Sequence, residues 1–147
     1  MSRRLTPSWR FRATLAALVL PPLIHFISLD RLTRWIVRSR SPSQPDPTVD
    51  DESLAEWVDR VLQRLPPPWK KTCLRRALVL HYLVHRAGRP AELRIGVRRD
   101  AANALAAHAW LVQHGELFLE SGAEHVASYE VLATFGPPSA TGRGNAP

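Results

Sequence analysis

The sequence predicts an α+β domain: helices first, then a central buried helix, then several antiparallel strands. Three observations carry this. Apolar residues recur at helical spacing through the first half of the 147-residue chain. After Thr72 they cover well over half of a helix circumference, as in a helix buried on most sides. From Ala91 onward the pattern changes to a two-residue alternation. The length and an apolar content of 45% suit one domain with tails and a real core.

Residues 1–38 read as helical. Their basic start and the apolar run from Ala13 to Leu29 imitate a signal peptide or membrane anchor. The run has 17 residues, the short limit for a span. Pro21 and Pro22 interrupt it, His25 follows, and Asp30 and Arg31 stand where a cleavage site would need small residues. One or two short helices fit better, packed on the domain or touching a membrane surface through residues 10–38. Residues 39–49 form a linker, because Pro42, Pro45 and Pro47 prevent regular structure.

The domain proper is expected at 50–136. Leu54, Trp57, Val58, Val61 and Leu65 have helical spacing behind an acidic first turn, which suits the positive end of the helix dipole. Pro66 to Pro68 stop that helix. Thr72 is the N-cap of the next, and Gly88 with Pro90 ends it. Ala91, Leu93, Ile95 and Val97 alternate with Glu92, Arg94 and Gly96, as in a half-buried strand. Residues 98–107 read as a loop. "HAWLVQ" and "ELFLE" read as two strands joined around His114-Gly115, and "ASYEVLATF" as a strand or a short helix. Residues 137–147 have the composition of a disordered tail.

The net charge is +7, almost all from arginine; Lys70 and Lys71 are the only lysines. Zinc-finger spacing, an aromatic RNA-binding signature and a recognition-helix pattern are absent, so no nucleic-acid partner is expected. A single cysteine, Cys73, cannot form an internal disulfide, which suits a reducing, cytoplasmic setting.

Taken alone, a single cysteine is more often an inert packed thiol. Its surroundings point elsewhere. The thiolate is the reactive form, and a helix N-terminus with neighbouring cations favours it. Cys73 follows the N-cap, with Lys70 and Lys71 just upstream.

A nucleophile needs a base. His81 and His85 lie on the cysteine's own helix, too far along to reach it, and read as partly exposed. His114 and His125 read as solvated. His108 opens a strand after a loop of small residues, where an imidazole can face a cleft. A third group should orient the ring. With a three-residue hairpin loop, Gln113-His114-Gly115, His108 falls opposite Glu120 on one face. A two-residue His114-Gly115 turn would put the two on opposite faces. Glu116 and Glu124 are the alternative acids. Trp110 shares a face with His108, as cleft wall or core aromatic. This chemistry needs no cofactor and no metal.

The stretch "CLRRALVLHYLVHRAGRPAELRIGVRRD…LAAHAWLVQHGELFLE" resembles the transglutaminase-like cysteine peptidases of lasso-peptide biosynthesis. The likeness runs from about Trp69 to Glu120 and rests on C-L-x-R-A-L, I-G-V and H-A-W in that order. It implies a transglutaminase- or papain-like core and a Cys-His-acid triad, in which Cys73 is the nucleophile and His108 the base. The family acid is aspartate twelve residues after the histidine; Glu120 stands there. The implied activity is removal of the leader from a ribosomally made precursor peptide. The implied partners are that precursor, a separate small leader-recognition protein and an ATP-dependent macrocyclase, because the segment before Trp69 is short for a recognition domain. A related thiol amidase or transferase, and a non-catalytic membrane-associated scaffold, are the alternatives.

Overall fold

The structure, a computed structural model, describes residues 4–39, 42–66, 72–120 and 123–136. Four helices lead: α1 (Pro7–Leu23), α2 (Leu29–Arg38), α3 (Asp51–Arg64) and α4 (Cys73–Arg86). Then come β1 (Glu92–Arg99), β2 (Leu105–Gln113), β3 (Glu116–Phe118), the short α5 (Ala123–Ala127) and β4 (Glu130–Phe135). The strands form one antiparallel sheet in the order β3-β2-β1-β4. The expected α+β layout is therefore present. Lys70, Lys71, two of the three helix-stopping prolines and the tail lie outside the described residues.

Of the four long helices, α2, α3 and α4 start at a side-chain cap, whereas α1 starts with Pro7 after Thr6, which makes no capping hydrogen bond. Ser28, Asp50 and Thr72 accept from the backbone N–H of Arg31, Ser53 and Arg75 at 3.4, 3.0 and 3.3 Å. The interior of α1 is lined with Ala13, Ala16 and Ala17, all buried, so its backbone comes close to α3 and α4. One apolar core joins Trp9 and Leu20 of α1, Leu54 and Val58 of α3, Leu78 and Leu83 of α4, and Leu93 and Leu111 of the sheet. The N-terminal helices thus pack on the domain and share its interior.

Within the described residues 42–49 the proline-rich segment has no helix or strand, yet it is pinned. Asp46 N–H donates to the Ala87 carbonyl at 2.8 Å, and Trp9 Nε1 donates to the Asp46 carboxylate at 3.2 Å. Arg89 spans to Asp51 and to the Val49 carbonyl. Hydrogen bonds from the Thr48 side chain and N–H hold the Asp46 carboxyl below the usual carboxylate range. Gly88 permits this approach. Its φ is +78°, and a Cβ there would lie 2.7 Å from the Gln44 carbonyl oxygen.

Two sequence expectations need correction. The strands β1 and β2 run through half of 98–107, leaving a connection of residues 100–104. Arg98-Arg99 and Leu105-Ala106-Ala107 do not alternate apolar with polar residues, so the strand ends were invisible there. "ASYEVLATF" is both things at once: it begins in α5 and ends in β4.

His81 and His85 are also not partly exposed; they are 1% and 5% exposed. The helix is apolar over so much of its circumference that its polar residues are covered too. His85 Nε2 is 2.9 Å from the Ser39 carbonyl oxygen. Neither ring nitrogen of His81 has a hydrogen-bond partner. Burial, and then the neighbouring His85, push its pKa down to about 4, against a small opposing pull from the Ala91 backbone. His81 is therefore folded as a neutral ring.

The unfolded chain binds a proton at His81 near pH 6.5, while the folded chain resists it until about pH 4. Stability is full above pH 6.5 and falls as pH drops through that window, by roughly 3 kcal/mol in all. We expect His81→Leu, which keeps volume and removes two unpaired nitrogens, to flatten urea-denaturation stability between pH 6.5 and 4. An unchanged pH slope in that variant would rule His81 out as its source.

Candidate active site

Cys73 is the first residue of α4, immediately after the Thr72 cap, and its thiol is free and half-buried. His108 lies in β2, paired with Gly96 of β1. The two faces of β2 have different neighbours. Ala109 and Leu111 join the main core with α4, whereas Trp110 and Val112 pack with Val126 of α5. His108 belongs to the second face.

Aromatic rings set its orientation. The Trp110 ring stacks on it at 5.8 Å between centroids and 18° between planes. Tyr129 tilts against it at 5.4 Å, and His125 meets it edge-on at 5.7 Å. His125 is exposed, as expected of a solvated residue, but its ring packs on the site. Gly96 makes room for the stack: a Cβ there would lie 2.7 Å from Trp110 Cη2 and 2.8 Å from the Glu130 carbonyl oxygen. Trp110 is thus core aromatic and neighbour of His108 together, 4% exposed.

The hairpin that leads to Glu120 differs from the favoured expectation. Gln113 pairs with Glu116, Val112 with Leu117 and Leu111 with Phe118. The turn is the two-residue His114-Gly115, with φ +52° and +78°, as a type I′ turn requires. Had this ladder run on, Glu120 would have stood opposite Ala109, on the face away from His108. It does not run on. The strand ends at Phe118, and Leu119 takes a left-handed φ of +56°. Beyond that break Glu120 Oε1 lies 3.7 Å from His108 Nε2. That nitrogen is buried with no hydrogen-bond partner, and the two side chains are 16% and 19% exposed. The acid expected from the sequence sits beside the histidine, but by a route through the backbone that the register argument missed. Glu116 flanks the hairpin turn and Glu124 is exposed on α5.

Arg76 ties this pair to α4. Its guanidinium grips Asp59 of α3 at 2.6 and 3.3 Å, donates to the Leu119 carbonyl at 2.9 Å and lies 3.8 Å from Glu120 Oε2. Arg76 is three residues after Cys73, hence on the same side of the helix, and helical side chains slope toward the N-terminus. No hydrogen bond joins Cys73 to His108 among the described residues; Glu120 lies near both His108 and Arg76, and Arg76 stands on the helix that Cys73 opens. Sequence reasoning missed Arg76, Asp59 and Tyr129. Arg76 lies inside the C-L-x-R-A-L motif, the one signal that singled it out.

A cleft of about 740 Å³ is lined by Glu120, Leu119, Phe118 and Arg76 on one side and by α3 on the other; it reaches Glu120, while Cys73 and His108 do not line it. No group of side chains suited to hold a metal ion occurs among the described residues.

A family model described as the transglutaminase-like superfamily matches residues 16–134. No curated protein and no solved structure matches the chain.

The Arg76–Asp59 fork is partly buried, so removing either partner strands a charge. We expect Asp59→Asn and Arg76→Gln each to lose about 1–3 kcal/mol of stability in urea. In a double-mutant cycle the coupling should exceed about 1 kcal/mol. Additive losses would mean that the two groups stand near each other without supporting the site.

Proposed function

Because the chain belongs to the transglutaminase-like superfamily, we propose that it is a cysteine peptidase that removes the leader from a ribosomally made precursor during lasso-peptide maturation. Cys73 is the nucleophile, His108 the base and Glu120 the acid that orients it. The observation that carries this reading is the Glu120 carboxylate facing the unpartnered Nε2 of His108, braced by Arg76 from the helix that Cys73 opens. The leader-peptidase assignment rests on the sequence resemblance from Trp69 to Glu120.

With Nε2 directed at Glu120, Nδ1 is the ring nitrogen left to take the thiol proton. The thiolate attacks a backbone carbonyl of the precursor and forms a C–S bond. The developing oxyanion meets the Cys73 N–H, one of the unpaired donors at the start of α4. The C–N bond then breaks, and His108 gives its proton to the departing amine. Water, deprotonated by His108, hydrolyses the thioester and restores the thiol. Glu120 keeps the proton on Nε2 throughout and balances the imidazolium. A separate small recognition protein delivers the leader, and an ATP-dependent macrocyclase uses the freed peptide.

A non-catalytic scaffold is the second reading, favoured by the missing Cys73–His108 hydrogen bond. Against it, such bonds are often long before substrate binds. A related amidase or transferase would use the same residues on a different acyl acceptor.

The rate at which iodoacetamide alkylates the chain's one thiol, followed against pH, separates these readings. We expect a fast reaction already near pH 6 in the wild type and a much slower one there in His108→Ala. In parallel, Cys73→Ala should abolish leader cleavage in a mixture with the precursor and the recognition protein. Identical slow profiles in both thiol-bearing proteins, with no cleavage by the wild type, would sink the peptidase reading.

A further inference from the structure

Exposed apolar side chains concentrate on α1, α2 and the turn between them. Phe11, Leu15, Leu18 and Val19 run along the outer side of α1 at helical spacing, opposite the buried Trp9, Ala13 and Leu20. Phe26, in the turn, is 86% exposed, Phe11 69% and Trp35 of α2 56%. Leu15, Val19 and Trp35 border one apolar groove, so the two helices present a continuous face. Single exposed apolar residues are ordinary, but a contiguous face implies something that covers it.

The charge is distributed in the same way. Residues 1–40 contain eight arginines and one acid, Asp30, a balance of +7 that equals the net charge of the whole chain. From 41 to 147, twelve basic residues stand against twelve acidic ones. Arg31, Arg34, Trp35 and Arg38 occupy the outer side of α2, all exposed, with Arg34 paired to Asp30. Arg12 borders the groove and lies over the Trp9 ring.

Protruding aromatics amid arginines suit a surface that is apolar just below a layer of negative charge. We propose that the outer face of α1 and α2 docks on an anionic lipid bilayer. No helix among the described residues is long and apolar enough to cross a membrane. The inner side of α1 is occupied by α3 and α4, so the helix lies in the plane of the bilayer. Phe11, Phe26 and Trp35 enter the headgroup region, and Arg12, Arg31 and Arg38 meet lipid phosphates. A protein partner would more naturally be met by a concave site. The groove here is small, about 180 Å³, and its most exposed aromatic, Phe26, stands outside it.

The test is co-sedimentation of the full chain with vesicles of phosphatidylcholine alone or with about a third phosphatidylglycerol. We expect binding to the anionic vesicles, weakened about tenfold or more in their absence and by high salt. Phe11→Ser with Phe26→Ser should lose about tenfold, and Arg31→Gln with Arg38→Gln about as much. Melting temperatures should stay at the wild-type value, because these side chains are exposed. Failure to sediment with either vesicle, or unchanged binding in both variants, overturns the proposal. So does a wild-type dimer, or capture of the recognition protein, that the Phe variant abolishes while lipid binding is absent. These outcomes are independent of Cys73 chemistry and leave the peptidase reading to its own test.

Discussion

The Arg76 guanidinium is the point where three parts of the molecule are joined. It grips Asp59 of α3, leaves α4 one turn below Cys73, and holds the Leu119 carbonyl and the Glu120 carboxylate at the end of β3. Few side chains can serve three partners at once. The planar fork with five donors can, and an ammonium with a single charged point cannot do so in fixed geometry. The left-handed Leu119 depends on the same contact, because a branched side chain at positive φ persists only when its neighbours hold it. Remove the guanidinium, and the end of the hairpin loses the reason to turn toward His108.

Burial on both faces of β2 supplies the other half of the site. One face packs on the helical core and the other on α5 and Tyr129, so the strand is clamped and His108 is held within a set of rings. Trp110 reaches its place because Gly96 offers no side chain to oppose it. Rings and carboxylate limit the imidazole from different directions. That is how the scaffold turns one chosen nitrogen of His108 toward Glu120.

Much of this was legible beforehand, for physical reasons. The helices announced themselves because their cores repeat near 3.6 residues, and Thr72 because a cap needs a side-chain oxygen. Cys73, His108 and Glu120 could be singled out as types of group in a given order. Their geometry could not. The hairpin register turns on one residue of loop length, and the sequence His114-Gly115 fits both turns considered. The pairing of His108 with Glu120 was reached from a register the chain does not use; the actual cause is a backbone conformation at Leu119 that nothing in its identity signals. An arginine in a helical motif does not disclose where its guanidinium ends. The buried His81 was equally opaque, since polarity alone assigns it to the surface.

The strap at 42–49 has a mechanical consequence. By composition it is a joint, yet Asp46 fastens it to the end of α4 and to Trp9, and Arg89 ties its far end to Asp51. The first two helices cannot swing as a lever about it without unmaking the core they share with α4. Whatever α1 rests against therefore fixes the bearing of Cys73 at the start of α4. The helices α1, α2 and α4 therefore form one block, and the first turn of α4 is held in place by the core they share.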